Sequence, residues 1–154
     1  MTYAARGVGE DLTVTIGLSA DDGEAGDGDH IRTGTENVIG GAGNDTITGD
    51  SNPNQITGGA GDDVLDGGGG NDTFLEGSAS SGSDTLTGGS GYDTVDYGSR
   101  TNDVTVTMGD STANDGESGE GDDVHPTVEE LISGAGDDNL RGNASDNVIS
   151  AGAG

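Results

Sequence analysis

The sequence has no cysteine and no tryptophan, and only 3% of its 154 residues are aromatic. Without cysteine, disulfide bonds cannot compensate for a small core, and the redox compartment of the protein is left open. Hydrophobic residues make up 27% of the chain, a composition close to that of disordered proteins. A conventional globular core is therefore not expected.

Basic residues are equally scarce. Four Lys and Arg stand against 30 Asp and Glu, which gives a formal net charge of −26. This charge excludes a protein that binds the phosphate backbone of nucleic acids. No apolar run is long enough to span a membrane, and no basic start followed by an apolar segment indicates a signal peptide. Because a compact state of such a chain repels itself, the chain is either disordered or folded by a cation.

Glycine, in contrast, is abundant, with 33 residues, and many of them fall in repeats of nine. Each repeat has an Asp or Asn at position six and an apolar residue at position eight, and most have Gly-rich early positions. The repeats cover residues 40–48, 49–57, 58–66, 67–75, 79–87, 88–96, 133–141 and 142–150. A low-complexity tract would not keep the apolar position while the glycines vary, so disorder is expected only in the metal-free state.

A longer repeat overlies the short one, since residues 22–45 resemble residues 115–138. We therefore expect the chain to be an excerpt of a longer tandem array, flanked by neighbouring repeats of a parent chain, and to be monomeric. The predicted segments are a linking strand and acidic loop at 1–30, a repeat block at 31–96, a second linking strand and acidic loop at 97–132, and a truncated repeat block at 133–154.

The repeat spacing predicts a coil. Glycine accepts positive φ, so positions one to six form a tight turn with inward carbonyls, and positions seven to nine form a short strand whose eighth side chain faces inward. Parallel strands cannot be joined by a tight hairpin, so successive repeats wind and stack at about 4.8 Å per layer. The predicted fold is all-β: a parallel β-solenoid with two nonapeptides per turn.

Stacking brings carboxylates together. Repeats two frames apart lie above one another, which predicts Asp45 over Asp63. Beyond a three-residue insertion, Asp63 pairs with Asp84. On the opposite edge Asp72 pairs with Asp93. Carboxylates about 5 Å apart repel unless a cation lies between them, and oxygen ligands without Cys or His favour Ca²⁺ over Zn²⁺, with Mg²⁺ the weaker candidate. Several Ca²⁺ ions between turns are therefore expected.

The repeats GGAGNDTIT (40–48), GGAGDDVLD (58–66) and GGGGNDTFL (67–75) resemble the nonapeptide of the RTX, or repeats-in-toxin, family. The resemblance implies a parallel β-roll that binds Ca²⁺ through the position-six Asp and the turn carbonyls. It also implies type I secretion from a Gram-negative bacterium and folding outside the cell. Family members include secreted proteases, lipases, toxins, adhesins and surface-layer proteins. Residues 12–39 and 104–132 look like the units that link RTX blocks.

The expected calcium ligands follow from position six, from its equivalents in neighbouring frames, and from matching acids in the two acidic loops. The side-chain candidates are Asp45, Asp63, Asp72, Asp84, Asp93, Asp138, Glu36, Glu129, Asp29 and Asp122. For the two glutamates and the last two aspartates, a solvated acid is the alternative. The backbone-carbonyl candidates are Gly40, Gly41, Ala42, Gly43, Gly58, Gly59, Ala60, Gly61, Gly67, Gly68, Gly70, Gly88, Gly89, Gly91, Gly134 and Gly136.

Departures from the repeat predict weaker sites. Asn54 lacks a carboxylate, so the edge above Asp72 is expected to hold a weak site or none, and Asn147 is expected to end the second row. Residues 79–81 replace Gly-Gly-x, which puts the carbonyl positions around Asp84 in doubt. Tyr97 is expected on the coil surface or over its end.

The predicted function is a calcium-binding structural module of a secreted or cell-surface protein that folds on binding Ca²⁺ outside the cell. The alternatives are an extender or adhesive repeat region that binds a surface partner, and the non-catalytic C-terminal region of a secreted hydrolase or toxin. His30 and His125 do not correspond between the long units, and no G-x-S-x-G motif is present. Nothing in the sequence favours an enzyme.

Overall fold

The computed structural model describes residues 10–17 and 31–154, and in these residues it contains 14 β-strands and no helix. The strands are β1 (Thr13–Thr15), β2 (Asn37–Ala42), β3 (Thr46–Thr48), β4 (Gln55–Ala60), β5 (Val64–Asp66), β6 (Thr73–Leu75), β7 (Thr85–Thr87), β8 (Thr94–Asp96), β9 (Val104–Thr107), β10 (Gly116–Glu117), β11 (Asp123–Val124), β12 (Glu130–Ile132), β13 (Asn139–Arg141) and β14 (Val148–Ser150). Most are three residues long because the glycines on either side form turns. No helix in the described part of the chain is long and apolar enough to cross a membrane.

Two parallel sheets enclose the core. A five-stranded sheet has the order β1-β3-β5-β7-β11, and a six-stranded sheet has the order β14-β12-β8-β6-β4-β2. Successive nonapeptides alternate between the two sheets, so two of them make one turn of the coil. The predicted all-β parallel β-roll is confirmed.

The register follows the repeat. In the five-stranded sheet Ile47 lies opposite Leu65, and Leu65 lies opposite Leu86. Phe74 and Val95 are paired in the same way in the other sheet. The eighth residue faces inward because side chains alternate along a strand, and these five residues are fully buried. Each turn thus contributes only two side chains to the core, each worth about 1.5–3 kcal/mol.

The segment between the two repeat blocks adds layers to the same coil. Strand β12 pairs with β8 on one side and with β14 on the other, while β11 pairs with β7. The predicted repeat blocks therefore share one continuous sheet. Strands β10, β9 and β13 form a third sheet in which β10 runs antiparallel to β9.

Burial is uneven along the chain. The inward residue Ile149 on β14 is 39% exposed, because only β12 pairs with its strand. Tyr97 and Arg100 are instead buried to 0% and 1% exposure. The expectation that Tyr97 lies on the coil surface or covers its end is wrong, since its hydroxyl donates a hydrogen bond to the buried Asp122 carboxylate at 2.7 Å.

Candidate metal centre

Along one edge of the coil, each position-six carboxylate accepts a hydrogen bond from the backbone of the preceding turn. Asp63 Oδ1 accepts from Asp45 N at 2.8 Å, and Asp84 Oδ1 accepts from Asp63 N at 2.9 Å. Asp45 Oδ1 accepts from Leu12 N at 2.9 Å. The predicted stacking of Asp45 over Asp63, and of Asp63 over Asp84, is confirmed.

The opposite edge has the same arrangement. Asp72 Oδ1 accepts from Asn54 N at 2.7 Å, and Asp93 Oδ1 accepts from Asp72 N at 2.9 Å. The row continues because Glu129 Oε2 accepts from Asp93 N at 2.9 Å. These hydrogen bonds confirm the predicted pair of Asp72 and Asp93, and they fix one oxygen of each carboxylate.

In four of these carboxylates the second oxygen is buried but has no hydrogen-bond partner in the described part of the chain. This holds for the Oδ2 atoms of Asp45, Asp63, Asp72 and Asp93. Buried polar atoms are normally paired, and an unpaired buried carboxylate is costly unless it is protonated or bound to a cation. Such an atom at the same position of successive repeats indicates a cation at that position.

Backbone oxygens converge on the same place. A side chain at Gly40 would collide with both Asp45 Oδ2 and the carbonyl oxygen of Gly58 on the next turn. A side chain at Gly67 would meet Asp72 Oδ2 and the carbonyl of Gly88 in the same way. The first-position glycine therefore leaves room in which a carboxylate and a carbonyl oxygen face each other.

Glycines at positions two and four allow the turns to stack closely. Gly59 and Gly61 have φ angles of +122° and +130°, and a Cβ on either would collide with the carbonyl oxygen of Gly41 or Gly43 one turn earlier. At position three the Ala60 carbonyl accepts a hydrogen bond from Gly43 N at 2.8 Å. A carbonyl oxygen has a second lone pair, so these atoms stay candidates for metal ligands.

Burial, and then the charge of neighbouring carboxylates, raises the pKa of the position-six aspartates in the two rows. Burial raises the pKa of Asp63 to about 7, and the neighbouring carboxylates of Asp84 and Asp45 add to the rise. Burial and the charge of Asp93 likewise raise the pKa of Asp72 to about 6. Ionising these rows in the metal-free coil is therefore unfavourable.

Every donor atom at these positions is oxygen, which is the ligand set of Ca²⁺. The RTX calcium-binding nonapeptide repeat matches the chain four times, at residues 30–52, 39–74, 78–104 and 129–154. The chain belongs to the RTX calcium-binding nonapeptide repeat family. No curated protein and no solved structure matches it. As an RTX repeat, the chain binds Ca²⁺, and the unpartnered Oδ2 atoms and facing carbonyls fit that ion.

The remaining predicted ligands lie in different settings. Asp138 Oδ1 accepts from Val104 N at 3.0 Å, so this half-buried acid follows the pattern of the RTX rows. Glu36 is exposed at the first described layer of the six-stranded sheet. Asp29 lies outside the described residues. The assignment of these acids as ligands stays a prediction.

Asn54 shows what replaces a carboxylate at position six. Its Oδ1 accepts from Asp50 N at 2.9 Å, and its Nδ2 donates to the carbonyl of Thr35 at 3.0 Å. The amide therefore uses protein partners where the RTX aspartates have a free oxygen. This geometry supports the prediction of a weak or missing site on that edge.

The side chains at position five form a second row of hydrogen bonds between turns, which was not predicted from the sequence. Asn44 Oδ1 accepts from Asp62 N at 2.9 Å, and Asp62 Oδ1 accepts from Ser83 N at 3.0 Å. These bonds run in the opposite direction to those of position six, because the side chain accepts from the following turn. The signal was available, since short Asn and Asp side chains recur at this position.

A further group of acids was missed. Glu76, which lies in the three-residue insertion, is buried beside Asp84 and Asp122, and one carboxylate oxygen of each lies within 4.8 Å of the others. Asp122 was a predicted ligand, and its Oδ1 accepts from Asp84 N at 2.9 Å. The only sequence signal for Glu76 was an acidic residue inside an insertion that interrupts the RTX spacing.

Proposed function

We propose that this chain is a calcium-dependent folding module of an exported RTX protein. The observation that carries the proposal is that four buried position-six carboxylates, in two rows, have a second oxygen with no partner among the described residues. The turns, the strands and the thin core can form only when these charges are neutralised. Calcium binding and folding are then one process, because the ligands come together only in the coil.

Each part of the repeat has a role in this process. The backbone N–H of the preceding turn fixes Oδ1 of each aspartate, which leaves Oδ2 directed toward the first-position glycine. The missing side chains at positions one, two and four let carbonyl oxygens of adjacent turns approach. When bound, Ca²⁺ supplies positive charge and cross-links adjacent turns.

The chain's charge suits export. With a net charge of −26 and low calcium inside a cell, the chain repels itself and stays extended. Extracellular calcium modules typically bind at about 10⁻⁴–10⁻³ M, so calcium outside the cell would fold the chain after export. Several linked sites make this transition steep, because each occupied site adds to the stability of the folded state.

Small-angle X-ray scattering tests the proposal. A compact chain of this length has a radius of gyration of about 15 Å, and an unfolded one of about 40 Å. We expect a value near 40 Å at submicromolar calcium and a value below about 25 Å, somewhat elongated, at millimolar calcium. A radius that is the same in both solutions would contradict the proposal.

A further inference from the structure

A cluster of buried acids lies where the first repeat block meets the linking segment. Glu76 comes from the insertion, Asp84 from position six of a repeat, and Asp122 from the acidic loop of the linking segment. All three are buried, with exposures of 4%, 2% and 0%. The cluster thus joins residues from three separate parts of the chain.

The basic residue at the cluster, Arg100, is already paired with another acid. Arg100 forms a two-pronged ion pair with a fourth buried acid, Glu120, through Nη2 to Oε1 at 2.7 Å and Nη1 to Oε2 at 3.1 Å. Its Nη2 and Nε also donate to the carbonyl oxygen of Glu76. The Arg100 charge is therefore matched by Glu120, and the three carboxylates of the cluster have no cation of their own among the described residues.

Hydrogen-bond donors serve Asp84 and Asp122 better than Glu76, since Asp122 accepts from Asp84 N and Tyr97 Oη, and Asp84 accepts from Asp63 N. The closest donor to the Glu76 carboxylate is the Ser81 hydroxyl, at 3.4 Å from Oε2. The same hydroxyl faces Asp84 Oδ2 at 3.2 Å and Glu120 Oε1 at 3.3 Å. A hydroxyl has one proton, which cannot serve three carboxylates. Glu76 is thus a nearly fully buried carboxylate in the cluster whose one hydrogen-bond donor among the described residues is this distant, shared hydroxyl.

We propose that Glu76, Asp84 and Asp122 bind a Ca²⁺ ion that fastens the linking segment to the first repeat block. Ca²⁺ takes oxygen ligands at 2.3–2.6 Å, so two ligands of one ion are at most about 5 Å apart. The three carboxylates meet this limit. That the ion is Ca²⁺ rests on the proposed function. The choice of ligands does not, because this site has three carboxylates, whereas the repeat sites combine a carboxylate with carbonyl oxygens.

The proposed site explains why the sequence departs from the repeat at this turn. Ala79 and Ser80 replace the two glycines whose close approach brings carbonyls together elsewhere. The insertion instead supplies a longer side chain, Glu76, and the linking loop supplies Asp122. Tyr97 Oη donates to Asp122 Oδ2 at 2.7 Å, which holds that carboxylate toward the cluster.

Tyrosine-sensitised terbium luminescence tests the site directly. Tb³⁺ binds oxygen sites of the Ca²⁺ type, and the chain has no Trp and three Tyr. In the full chain carrying Tyr3→Phe and Tyr92→Phe, Tyr97 is the only sensitiser. We expect Tb³⁺ emission that Ca²⁺ competes away and that Glu76→Gln abolishes. Glu130→Gln, an equivalent change on a strand of the opposite sheet, should leave it intact. Equal emission from the Glu76→Gln and Glu130→Gln chains would overturn the proposal.

Counting bound ions by equilibrium dialysis distinguishes a failure of this inference from a failure of the proposed function. We expect Glu76→Gln to bind one Ca²⁺ fewer than the unchanged sequence, while Glu130→Gln keeps the full number. If Glu76→Gln folds with calcium and binds the full number, a proton rather than Ca²⁺ neutralises the cluster, and this inference alone is wrong. If no chain binds Ca²⁺, the proposed function fails as well.

Discussion

Replacing Asp63 by Asn should have opposite effects with and without calcium. Asp63 lies between Asp45 and Asp84: its Oδ1 accepts from Asp45 N and its own N donates to Asp84 Oδ1, so it belongs to two stacked pairs. An amide keeps the oxygen that accepts from Asp45 N but loses the charge. Asn54 shows that the fold accepts an amide at position six.

The structure gives the size of both effects. The pKa of Asp63 is about 7 in the folded chain and 3.8 ordinarily. At a pH above both values, the ionised Asp63 destabilises the metal-free fold by about 4 kcal/mol, which solvent screening reduces to about 2 kcal/mol. Without calcium, Asp63→Asn should therefore stabilise the fold by about 1–2 kcal/mol, allowing for a weaker hydrogen bond. With calcium a hundredfold above Kd, losing two sites costs about 5 kcal/mol, so the net loss is about 3 kcal/mol.

Thermal unfolding at pH 8, followed by circular dichroism, measures both effects. In calcium we expect the Tm of Asp63→Asn to fall by about 6–12 °C. In EDTA, with sucrose to favour the folded state, we expect it to rise by about 2–8 °C. The matched control is Asp62→Asn, an exposed neighbour whose equivalent in an earlier repeat is Asn44. An equal loss of Tm for Asp63→Asn in both solutions would show that its carboxylate only accepts a hydrogen bond.

Three further predictions concern pH, a turn glycine and the core. The raised pKa values of Asp63 and Asp72 mean that the folded state holds more protons than the unfolded one between about pH 4 and 7; the Tm measured in EDTA with sucrose should therefore fall as pH rises through this window, and a Tm that rises instead would contradict the assignment. Gly61→Ala should cost about 1–3 kcal/mol or more in urea unfolding with calcium present, because Gly61 has φ +130° and a Cβ there would strike the Gly43 carbonyl; Gly69→Ala, with no atom closer than 3.7 Å, is the control in the same urea assay. Leu65→Ala should cost about 2–5 kcal/mol in calcium, whereas Val64→Ala, 49% exposed on the same strand, should change stability by less than about 0.5 kcal/mol; similar losses would rule out the inward direction of position eight.

The repeats could be predicted from the sequence because their spacing determines their structure. Residues at positions six and eight recur at a fixed interval, so the register of Ile47 with Leu65 and of Asp45 with Asp63 follows from counting. Position five could have been found in the same way. Which Oδ atom stays unpartnered could not be predicted, since it depends on the backbone N–H groups of the adjacent turn.

The linking segment could not be predicted to the same extent. The contacts of Glu76 with Asp122, and of Arg100 with Glu120, join residues that no repeat relates. Tyr97 and Arg100 are polar residues in a glycine-rich chain, and their burial is explained only by the acids that surround them. Hydrophobic pattern alone gives no signal for such a polar core.

The central claim is that calcium, and not the hydrophobic core alone, folds the coil. Far-UV circular dichroism of the metal-free chain during a calcium titration, with magnesium at the same concentrations as the control, tests it most directly. We predict a disordered spectrum in EDTA, a cooperative gain of β signal as calcium rises toward millimolar concentration, little change with magnesium, and reversal on adding EDTA. A β signal that persists unchanged in EDTA would contradict the claim.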